Sequence, residues 1–550
     1  MATSSPVALI SQVQQRKPRP YTPSLWGDFF LHHIPCTPSQ LFSMKKKAQI
    51  KKEEVRQIIL ETLASSNLVE KMELVDTLQR IGVDYHYKKE INDLLCYVYN
   101  DKDGGSSNLY ITSLRFYLLR SLFRYIRSST TSNVFEKFRD EQGNITSDDI
   151  SCLLMLYDAA HLRTHGEDIL DNIITFNKSR LQSLLLGNLE PQLQEEVQCS
   201  LETPRFRRVK RVEARRYISV YEKKATRDGT ILEFAKLDYN ILQAIYCDEL
   251  KELTVWWKDF QSQTYLSFAR DRMVELHFWM LGVVYEPYYS YSRIMMTKFI
   301  VFASLLDDLY DNYSTTMESN TFTMAMQRWD EQTTEQLPAY LKALFINILN
   351  TTNKIEEELK LMKNKHADLI KRLVIDTAKF YHAEVEWRDE HYIPTSVEEH
   401  LQISTHSSVC MQITNLALIS LGDVTTREDV NWALTFPKII RGACIVGRVG
   451  NDIVSHEREQ TSEHVTSTVQ TCMKEYGVTV EEANEKLRII IEEAWMDIVE
   501  DCLEQKRPMV LLETAINVAR TMDFMYKRED AYTLSFSLKD VITSMYVNSV

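Results

Sequence analysis

The amino-acid sequence predicts an all-α protein with two domains. Long segments place apolar residues at positions i, i+3 and i+4, which is the period of an amphipathic helix. The chain has only 14 Gly and 13 Pro among 550 residues, too few for the many turns of an all-β fold. Hydrophobic residues make up 44% of the sequence, and the length favours two domains over one.

The chain begins with a proline-rich stretch. Prolines at positions 6, 18, 20, 23 and 35 exclude a long helix and predict an extended arm over residues 1–35. Helical patterns then continue to the polar stretch "EKKATRDGTI" (222–231), which combines charge, a glycine and an aspartate suited to start a helix. We therefore predict one helical domain over 36–227 and a second over 228–550.

The charge balance limits the classes of partner. A net charge of -13 argues against nucleic acid or an anionic membrane surface, since both favour a basic protein. The run "RFRRVKRVEARR" (205–216) contains seven Arg or Lys, but Val, Glu and Ala interrupt it at helical spacing. We interpret it as a solvated helix face.

The cysteines and apolar runs exclude further classes. The nine cysteines lie far apart and show no CxxC pair or zinc-ligand spacing. We therefore expect neither a disulfide framework nor a zinc site, and we expect the protein to reside in a reducing compartment. No apolar run is long enough to cross a bilayer, and the first residues lack the apolar block of a secretory signal.

Three carboxylates stand close together at the end of an apolar run. In the stretch "FASLLDDLYDNY", Asp307 and Asp311 are four residues apart, with Asp308 between them. No Gly or Pro interrupts 292–312, so we predict one helix there, on which these side chains are within reach of one another. Like charges repel, and anions are unfavourable near a helix C-terminus, so we expect a cation nearby. Taken alone, the cluster fits a solvated acidic helix end equally well.

A second polar stripe changes that balance. After Pro437, the run "KIIRGACIVGRVGNDIVSHERE" predicts another helix, on which Asn451, Ser455 and Glu459 recur every fourth residue. An amide, a hydroxyl and a carboxylate suit magnesium or manganese rather than zinc or copper. Its glycines indicate close packing or close approach of a ligand. The spacing is incidental in many helix ends, but together with the aspartates it predicts a metal site.

Two metal-binding stripes imply an anion that bridges the metals. Magnesium is typically held by a few carboxylates plus substrate phosphates, and diphosphate fits this pattern. Arg448 lies three residues before Asn451, so its guanidinium can pair with phosphate oxygens. Arg270 and Arg272, in "FARDRMVELHFWMLG", form a second pair, although an Arg-Asp-Arg triplet alone is usually a surface ion-pair cluster.

These residues resemble those of a plant terpene synthase of the class I, sesquiterpene-forming type. The resemblance covers nearly the whole chain and rests on "RK" at 16–17 followed by Trp26, "PSLWGDFF", "ARDR" with "FWMLG", "DDLYD" and "NDIVSHERE". It implies an N-terminal relict α-barrel and a C-terminal catalytic helical bundle, with the N-terminal arm folding over the active-site mouth. It also implies a monomeric lyase that uses three magnesium ions, with manganese as a substitute, to convert farnesyl diphosphate to a sesquiterpene and diphosphate.

The resemblance assigns roles to particular residues. It implies metal ligands on two facing walls: Asp307, Asp308, Asp311, Asn451, Ser455 and Glu459. It implies diphosphate-binding residues, some of them also metal ligands: Arg270, Arg272, Asp307, Asp311, Arg448 and Asn451. It implies that the three aspartates and Arg448 take part in catalysis. It adds three further catalytic residues: Trp279 on the pocket floor, and Asp530 and Tyr532, in "EDAYT", at the pocket border.

The sequence departs from the family pattern in places. The leading tandem is Arg16-Lys17 instead of two arginines, with only 15 residues before it, which resembles cytosolic members; we therefore expect a cytoplasmic enzyme acting on a C15 substrate. Met525 stands where some relatives have a tyrosine, so it leaves fewer aromatic groups to stabilise cations. The stretch 120–135 is longer and more basic than usual and has no functional interpretation. The class II Asp-x-Asp-Asp motif is absent, so we expect no protonation-initiated cyclisation.

Alternative functions remain open at this point. The product could be cyclic or linear, or a terpene alcohol, and geranyl diphosphate could serve as a substrate as well. A chain-elongating prenyl transferase also uses an aspartate-rich motif, but that family has a second copy where this chain has "NDIVSHERE". From another class, a non-enzymatic helical scaffold could bind a partner through the 205–216 face.

Overall fold

The computed structural model describes residues 21–101, 108–121, 132–460 and 465–550. Within these ranges the chain forms helices and turns and no strand, so the all-α prediction is confirmed. Residues 1–20, which include the Arg16-Lys17 tandem, and most of the 120–135 stretch lie outside the described residues. No helix in the described ranges is both long and apolar enough to cross a membrane.

The helices follow one another with short connections. Up to the polar break they are α1 (Phe29–His32), α2 (Pro38–Ala64), α3 (Leu68–Arg80), α4 (Lys88–Asn100), α5 (Leu109–Ser121), α6 (Ile150–Ala160), α7 (Asp168–Leu185), α8 (Pro191–Glu202) and α9 (Lys210–Lys223). After it they are α10 (Gly229–Gln263), α11 (Met273–Val283), α12 (Ser290–Asp308), α13 (Thr316–Arg328), α14 (Ala339–Leu361), α15 (Leu369–Glu390), α16 (Val397–Ser407), α17 (Cys410–Ser420), α18 (Arg427–Leu434), α19 (Lys438–Glu459), α20 (Thr468–Tyr476), α21 (Val480–Glu504), α22 (Met509–Met525) and α23 (Lys539–Tyr546).

The described residues form two compact units. Unit I contains the described chain up to His33 together with Tyr246–Ala494 and Met522–Ile542, and unit II contains Ile34–Ile245, Trp495–Thr521 and Thr543–Val550. In unit I, α12 packs on α11, α15 and α17, and α19 packs on α16 and α17. This ring of helices carries the polar residues that the sequence singled out.

The predicted break at 222–231 is a helix boundary with an aspartate cap. Asp228 Oδ1 accepts hydrogen bonds from the backbone N–H groups of Thr230 (2.8 Å) and Ile231 (3.0 Å), which satisfies donors that the first turn of a helix leaves unpaired. The domain boundary placed at 227 from the sequence stays a prediction. The division into compact units falls within α10, between Ile245 and Tyr246.

The basic run 205–216 is part of a buried ion-pair network in unit II. Arg211 is 2% exposed. Arg216 and Arg80, the latter on α3, lie 3.0 and 3.2 Å from the carboxylate of Glu213. The predicted solvated helix face was therefore wrong, because local spacing does not show partners that come from distant helices. The alternative function of a helical scaffold needed the charges of this run to bind a partner, but several of these charges are already paired within the protein.

A buried charged cluster joins α10, α11 and α12 in unit I. Glu249 on α10 accepts hydrogen bonds from Arg293 Nη2 (2.6 Å) and Nε (2.9 Å) on α12, and lies 2.9 Å from His277 Nε2 on α11. Burial alone would raise the pKa of Glu249, but the bonds from Arg293 and His277 outweigh it and lower that pKa to about 2. The cluster fixes α12 against α11.

The buried cluster predicts a large loss of stability when one partner is removed. Arg293→Met leaves Glu249 buried without its main counter-charge, which typically costs about 3–5 kcal/mol, so the melting temperature should fall. Arg372→Met is the matched control, because Arg372 is 59% exposed and pairs with Asp376 at 3.4 Å on the surface. Circular dichroism during heating compares both variants with the unmodified protein.

Acid should reduce the difference between Arg293→Met and the unmodified protein. The pKa of Glu249 is lowered on folding, so the stability it contributes is present at neutral pH and is lost as the pH falls from 4.5 towards 2. Equal melting temperatures of the two proteins at neutral pH would contradict the role assigned to this cluster.

Candidate active site

The aspartate-bearing helix ends in a widened turn. The α-helical part of α12 stops at Asp308 and continues as a π-helical turn over Leu309–Tyr313, instead of running as an α-helix to residue 312. Ser314 N–H donates to the Leu309 carbonyl at 2.8 Å, closing the wider ring, and Arg388 on α15 donates to the Ser314 carbonyl at 3.4 Å. Arg388 is thus a cation at the helix C-terminus, where the macrodipole favours one.

A second cation offsets the repulsion between the first two aspartates. Arg270 Nη2 lies 2.6 Å from Asp307 Oδ2. The buried Asp308 accepts a hydrogen bond from the Arg270 backbone N–H at 2.9 Å and another from the Tyr21 hydroxyl at 3.0 Å. Burial raises the pKa of Asp308, while Arg270 acts to lower it. The sequence prediction that cations accompany this cluster is confirmed.

The third aspartate stands between two acidic walls. Asp311 lines the same cavity as Asp307. Burial raises the pKa of Asp311, the carboxylates of Asp307, Glu384 and Glu459 raise it further, and Arg448 acts in the opposite direction. The α12 end and the α19 end are therefore within electrostatic reach of each other, as two facing stripes require.

The second stripe lies on a single helix face. The predicted helix after Pro437 is α19, and on it the Asn451 amide donates to the Ser455 hydroxyl at 3.1 Å. Asn451 and Glu459 line the cavity, and Ser455 is buried beside them. A Cβ at Gly447 would lie 3.0 Å from the sulfur of Cys410, so the close packing indicated by the glycines is present here.

Arg448 is fixed at the cavity by three groups. Its Nε donates to the Ser404 carbonyl at 3.2 Å and its Nη2 to the Ser407 hydroxyl at 3.0 Å. Its Nη1 lies 3.6 Å from Asp452 Oδ1. The planar guanidinium is therefore oriented before any ligand arrives, with part of its surface towards the cavity.

Arg272 does not line this cavity. It is 1% exposed, and its guanidinium donates to the backbone carbonyls of Thr22 (2.9 Å), Tyr532 (3.1 Å) and Thr533 (3.1 Å). In this structure it joins the described end of the N-terminal arm to the 530–533 turn. Its assignment as a diphosphate ligand stays a prediction.

Aromatic rings form one side of the cavity. The Trp279 ring stacks on Tyr532 with centroids 5.5 Å apart and meets Tyr526 edge-on at 6.1 Å. The Tyr532 hydroxyl shares a short hydrogen bond with Ser304. Met525, the residue that the sequence comparison singled out, is buried outside the lining, whereas Tyr526 lies in it. Tyr526 thus adds an aromatic ring to the lining, and the expectation of fewer aromatic groups than in some relatives stays a prediction.

Glu384 and Arg458 are charged lining residues that the sequence analysis did not name as site residues. Glu384 on α15 accepts a hydrogen bond from Ser407 at 2.6 Å, and burial raises its pKa. Arg458 on α19 lies 2.6 Å from the carboxylate of Asp530. Glu384 belongs to no recognised spacing, and Arg458 lies within "NDIVSHERE" but not at one of its every-fourth-residue positions. Three-dimensional proximity is what reveals both.

The break between α16 and α17 also lies at the cavity. Val409 has a φ of 64°, which is rare for a β-branched residue and marks a strained backbone position. Ser407, Ser408 and Val409 all line the cavity. No sequence pattern indicated this break, because a valine gives no signal for a left-handed conformation.

The cavity combines these groups in one space. It encloses about 1110 Å³, counted with its open mouth, and Tyr21 and Asp530 stand among its lining residues. The ligand atoms offered by the two stripes are all oxygen, and the buried carboxylates outnumber the arginines that face them. This donor set fits magnesium, which prefers oxygen ligands and tolerates shared substrate phosphates.

Comparison with known proteins gives the same family on every measure. The chain matches the models "Terpene synthase, N-terminal domain" over residues 25–201 and "Terpene synthase family, metal binding domain" over 258–497. It is 54% identical to the (E)-beta-caryophyllene synthase of Zea mays, covering 96% of this chain and 95% of that protein. It is 41% identical to the beta-sesquiphellandrene synthase of Sorghum bicolor, covering 100% and 99%.

A solved structure agrees with the sequence relatives. Isoprene synthase from leaves of Populus x canescens, in complex with three Mg²⁺ ions and dimethylallyl-S-thiolodiphosphate, superposes with a TM-score of 0.84 at 28% identity, over 96% of this chain and 99% of that one. The predicted two-domain architecture is confirmed by these matches. The chain therefore belongs to the terpene synthase family, and its resemblance to the plant sesquiterpene-forming members is confirmed.

Proposed function

We propose that this chain ionises farnesyl diphosphate in a magnesium-dependent reaction and converts the resulting C15 cation to a sesquiterpene and diphosphate. The observation that carries the proposal is the cavity itself, in which two oxygen-donor stripes and three arginines meet a wall of aromatic rings. The sesquiterpene synthases among its relatives support the choice of a C15 substrate.

The metal ligands we propose are those of the two stripes. Asp307 and Asp311, with Asp308 behind them, would hold magnesium on one wall, and Asn451, Ser455 and Glu459 on the other. Bound magnesium would offset the negative charge that develops on the departing diphosphate. Three ions per site, as in the isoprene synthase complex, and manganese as a substitute are part of the proposal.

Arg270 and Arg448 would bind the diphosphate directly. Both guanidiniums are held in place by the protein, Arg270 by Asp307 and Arg448 by Ser404 and Ser407. A preoriented donor needs little reorganisation as the carbon–oxygen bond breaks, so it stabilises the transition state more than the bound substrate. Ionisation in this site requires no protein nucleophile.

The aromatic wall would guide the cation. Trp279, Tyr526 and Tyr532 present ring faces or edges to the cavity, and an aromatic face attracts a cation without forming a bond to it. These rings also exclude water from the reacting carbon atoms. The reaction ends with loss of a proton or capture of water, and cyclic and linear products both fit the relatives.

Several finer points stay predictions. Acceptance of geranyl diphosphate in addition to farnesyl diphosphate, location in the cytoplasm and a monomeric state rest on the sequence alone. The catalytic roles of Asp530 and Tyr532 also stay predictions, although both residues border the cavity.

Incubation with farnesyl diphosphate tests the proposed function. We expect diphosphate release that requires magnesium, and gas chromatography should detect a C15 hydrocarbon or alcohol. A parallel incubation that adds isopentenyl diphosphate distinguishes chain elongation, which would give a longer prenyl diphosphate. Absence of diphosphate release from farnesyl diphosphate would contradict the proposal.

Asp311→Asn should separate catalysis from folding. The substitution replaces a charged oxygen ligand with a neutral amide, so magnesium should bind more weakly and turnover should fall by orders of magnitude. It also removes a charge that Asp307, Glu384 and Glu459 repel, so the melting temperature should not fall. Asp423→Asn is the control, since that side chain is 93% exposed and should change neither quantity. A fully active Asp311→Asn variant would exclude a need for the Asp311 charge in holding the metal.

Arg448→Lys should lower turnover although the charge is kept. The planar guanidinium of Arg448 donates to both the Ser404 carbonyl and the Ser407 hydroxyl. A lysine replaces it with a single ammonium group on a flexible side chain. Loss of one preoriented donor typically costs roughly 3 kcal/mol, or about a hundredfold in rate. Steady-state kinetics and product analysis measure the effect, and a larger share of alcohol products would accompany looser retention of diphosphate. Unchanged turnover and products would mean that Arg448 serves only its structural ion pairs.

A further inference from the structure

Arg458 is a cation that contacts two residues of the second stripe, which consists of Asn451, Ser455 and Glu459. It lies on α19 directly before Glu459, and its side chain is 31% exposed. Its Nη2 lies 3.2 Å from the Ser455 hydroxyl oxygen and 3.4 Å from Glu459 Oε1. The same nitrogen donates to Asp530 Oδ2 at 2.6 Å. Two of these partners, Ser455 and Glu459, are therefore proposed metal ligands.

A metal and this guanidinium compete for the same oxygens. A magnesium ion held by Ser455 and Glu459 needs the lone pairs to which Arg458 now donates. The two positive charges would also repel each other at such short range. Metal binding at the stripe therefore requires Arg458 to move away from Ser455 and Glu459.

Asp530 connects Arg458 to the opposite wall. Asp530 is buried, and its second carboxylate oxygen accepts the Thr533 N–H at 3.0 Å. The Thr533 hydroxyl in turn accepts a hydrogen bond from Arg270 Nη1 at 3.0 Å. The 530–533 turn thus holds Arg458 and Arg270, which come from α19 and from the segment before α11, at the edge of one cavity.

We propose that Arg458 is an exchanging cation that leaves the second stripe when metal binds and then binds the diphosphate as a third guanidinium beside Arg270 and Arg448. Its planar fork matches phosphate oxygens, and its partial exposure leaves the side chain room to turn. The exchange couples metal loading to diphosphate binding, since the group displaced by the metal becomes a ligand of the anion. This inference rests on the proposed function only in taking diphosphate as the ligand.

Two binding measurements on Arg458→Gln test the exchange. The binding of Mn²⁺ alone, followed by electron paramagnetic resonance, should become several-fold tighter, because a competing cation is gone. The binding of inorganic diphosphate at saturating Mg²⁺, followed by calorimetry, should become about tenfold weaker or more, since one charge-assisted donor is lost. Effects of opposite sign on the two ligands are not expected from a residue that only supports the fold.

Matched variants make the outcome clear. Arg441→Gln lies on the same helix and removes an exposed guanidinium that pairs with Glu398 at 3.0 Å, so it should leave both affinities unchanged. Arg458→Lys keeps the competing charge but not the fork, so Mn²⁺ binding should stay near that of the unmodified protein while diphosphate binding weakens. It also provides a folded variant if Arg458→Gln loses stability in a melting experiment.

The inference and the proposed function can fail separately. If Arg458→Gln leaves both affinities unchanged, or weakens both together, the exchange is wrong, whether or not the unmodified protein releases diphosphate from farnesyl diphosphate. If Arg458→Gln shows the two opposite effects but the unmodified protein does not turn over farnesyl diphosphate, the proposed function is wrong and the exchange stands.

Discussion

One electrostatic constraint governs the cavity: carboxylates from facing helices line the same space. Two like charges 4 Å apart repel by about 4 kcal/mol at an effective dielectric constant of 20. Here Asp307, Glu384 and Glu459 all act on Asp311, and Asp307 acts on Glu384 as well. Guanidinium groups enter the same space and offset part of this cost. The remaining excess of negative charge favours the binding of cations, and bound cations in turn attract an anionic substrate.

The sequence predicted most of what spacing along one helix can encode. It placed Asn451, Ser455 and Glu459 on one face of α19, because an i, i+4 pattern needs only helical geometry. It also required cations near Asp307 and Asp308, which Coulomb's law demands whatever the fold. The sequence named Arg270 as a diphosphate ligand, and the structure shows that it also pairs with Asp307.

Contacts between distant segments of the chain could not be predicted from the sequence. Glu384 reaches the cavity from α15 with no motif around it, and the buried pairing of Arg216 with Glu213 lies in a run that spacing alone described as solvated. Arg272 matched a family pattern, yet its donors meet backbone carbonyls. Local pattern gives the chemical type of a side chain and its helix face, whereas tertiary packing decides what that side chain contacts.

The widened turn at Leu309–Tyr313 limits how the aspartate-rich motif can be moved to another protein. On a regular α-helix, a residue four positions after Asp307 would return almost to the same side of the axis. The π-helical turn closes a larger ring, so the same four-residue spacing directs Asp311 differently. Transfer of the "DDLYD" sequence onto a designed α-helix would therefore reproduce the composition of the site without its geometry. The designed protein would also need counterparts of Ser314 and Arg388 to maintain the π-helical turn.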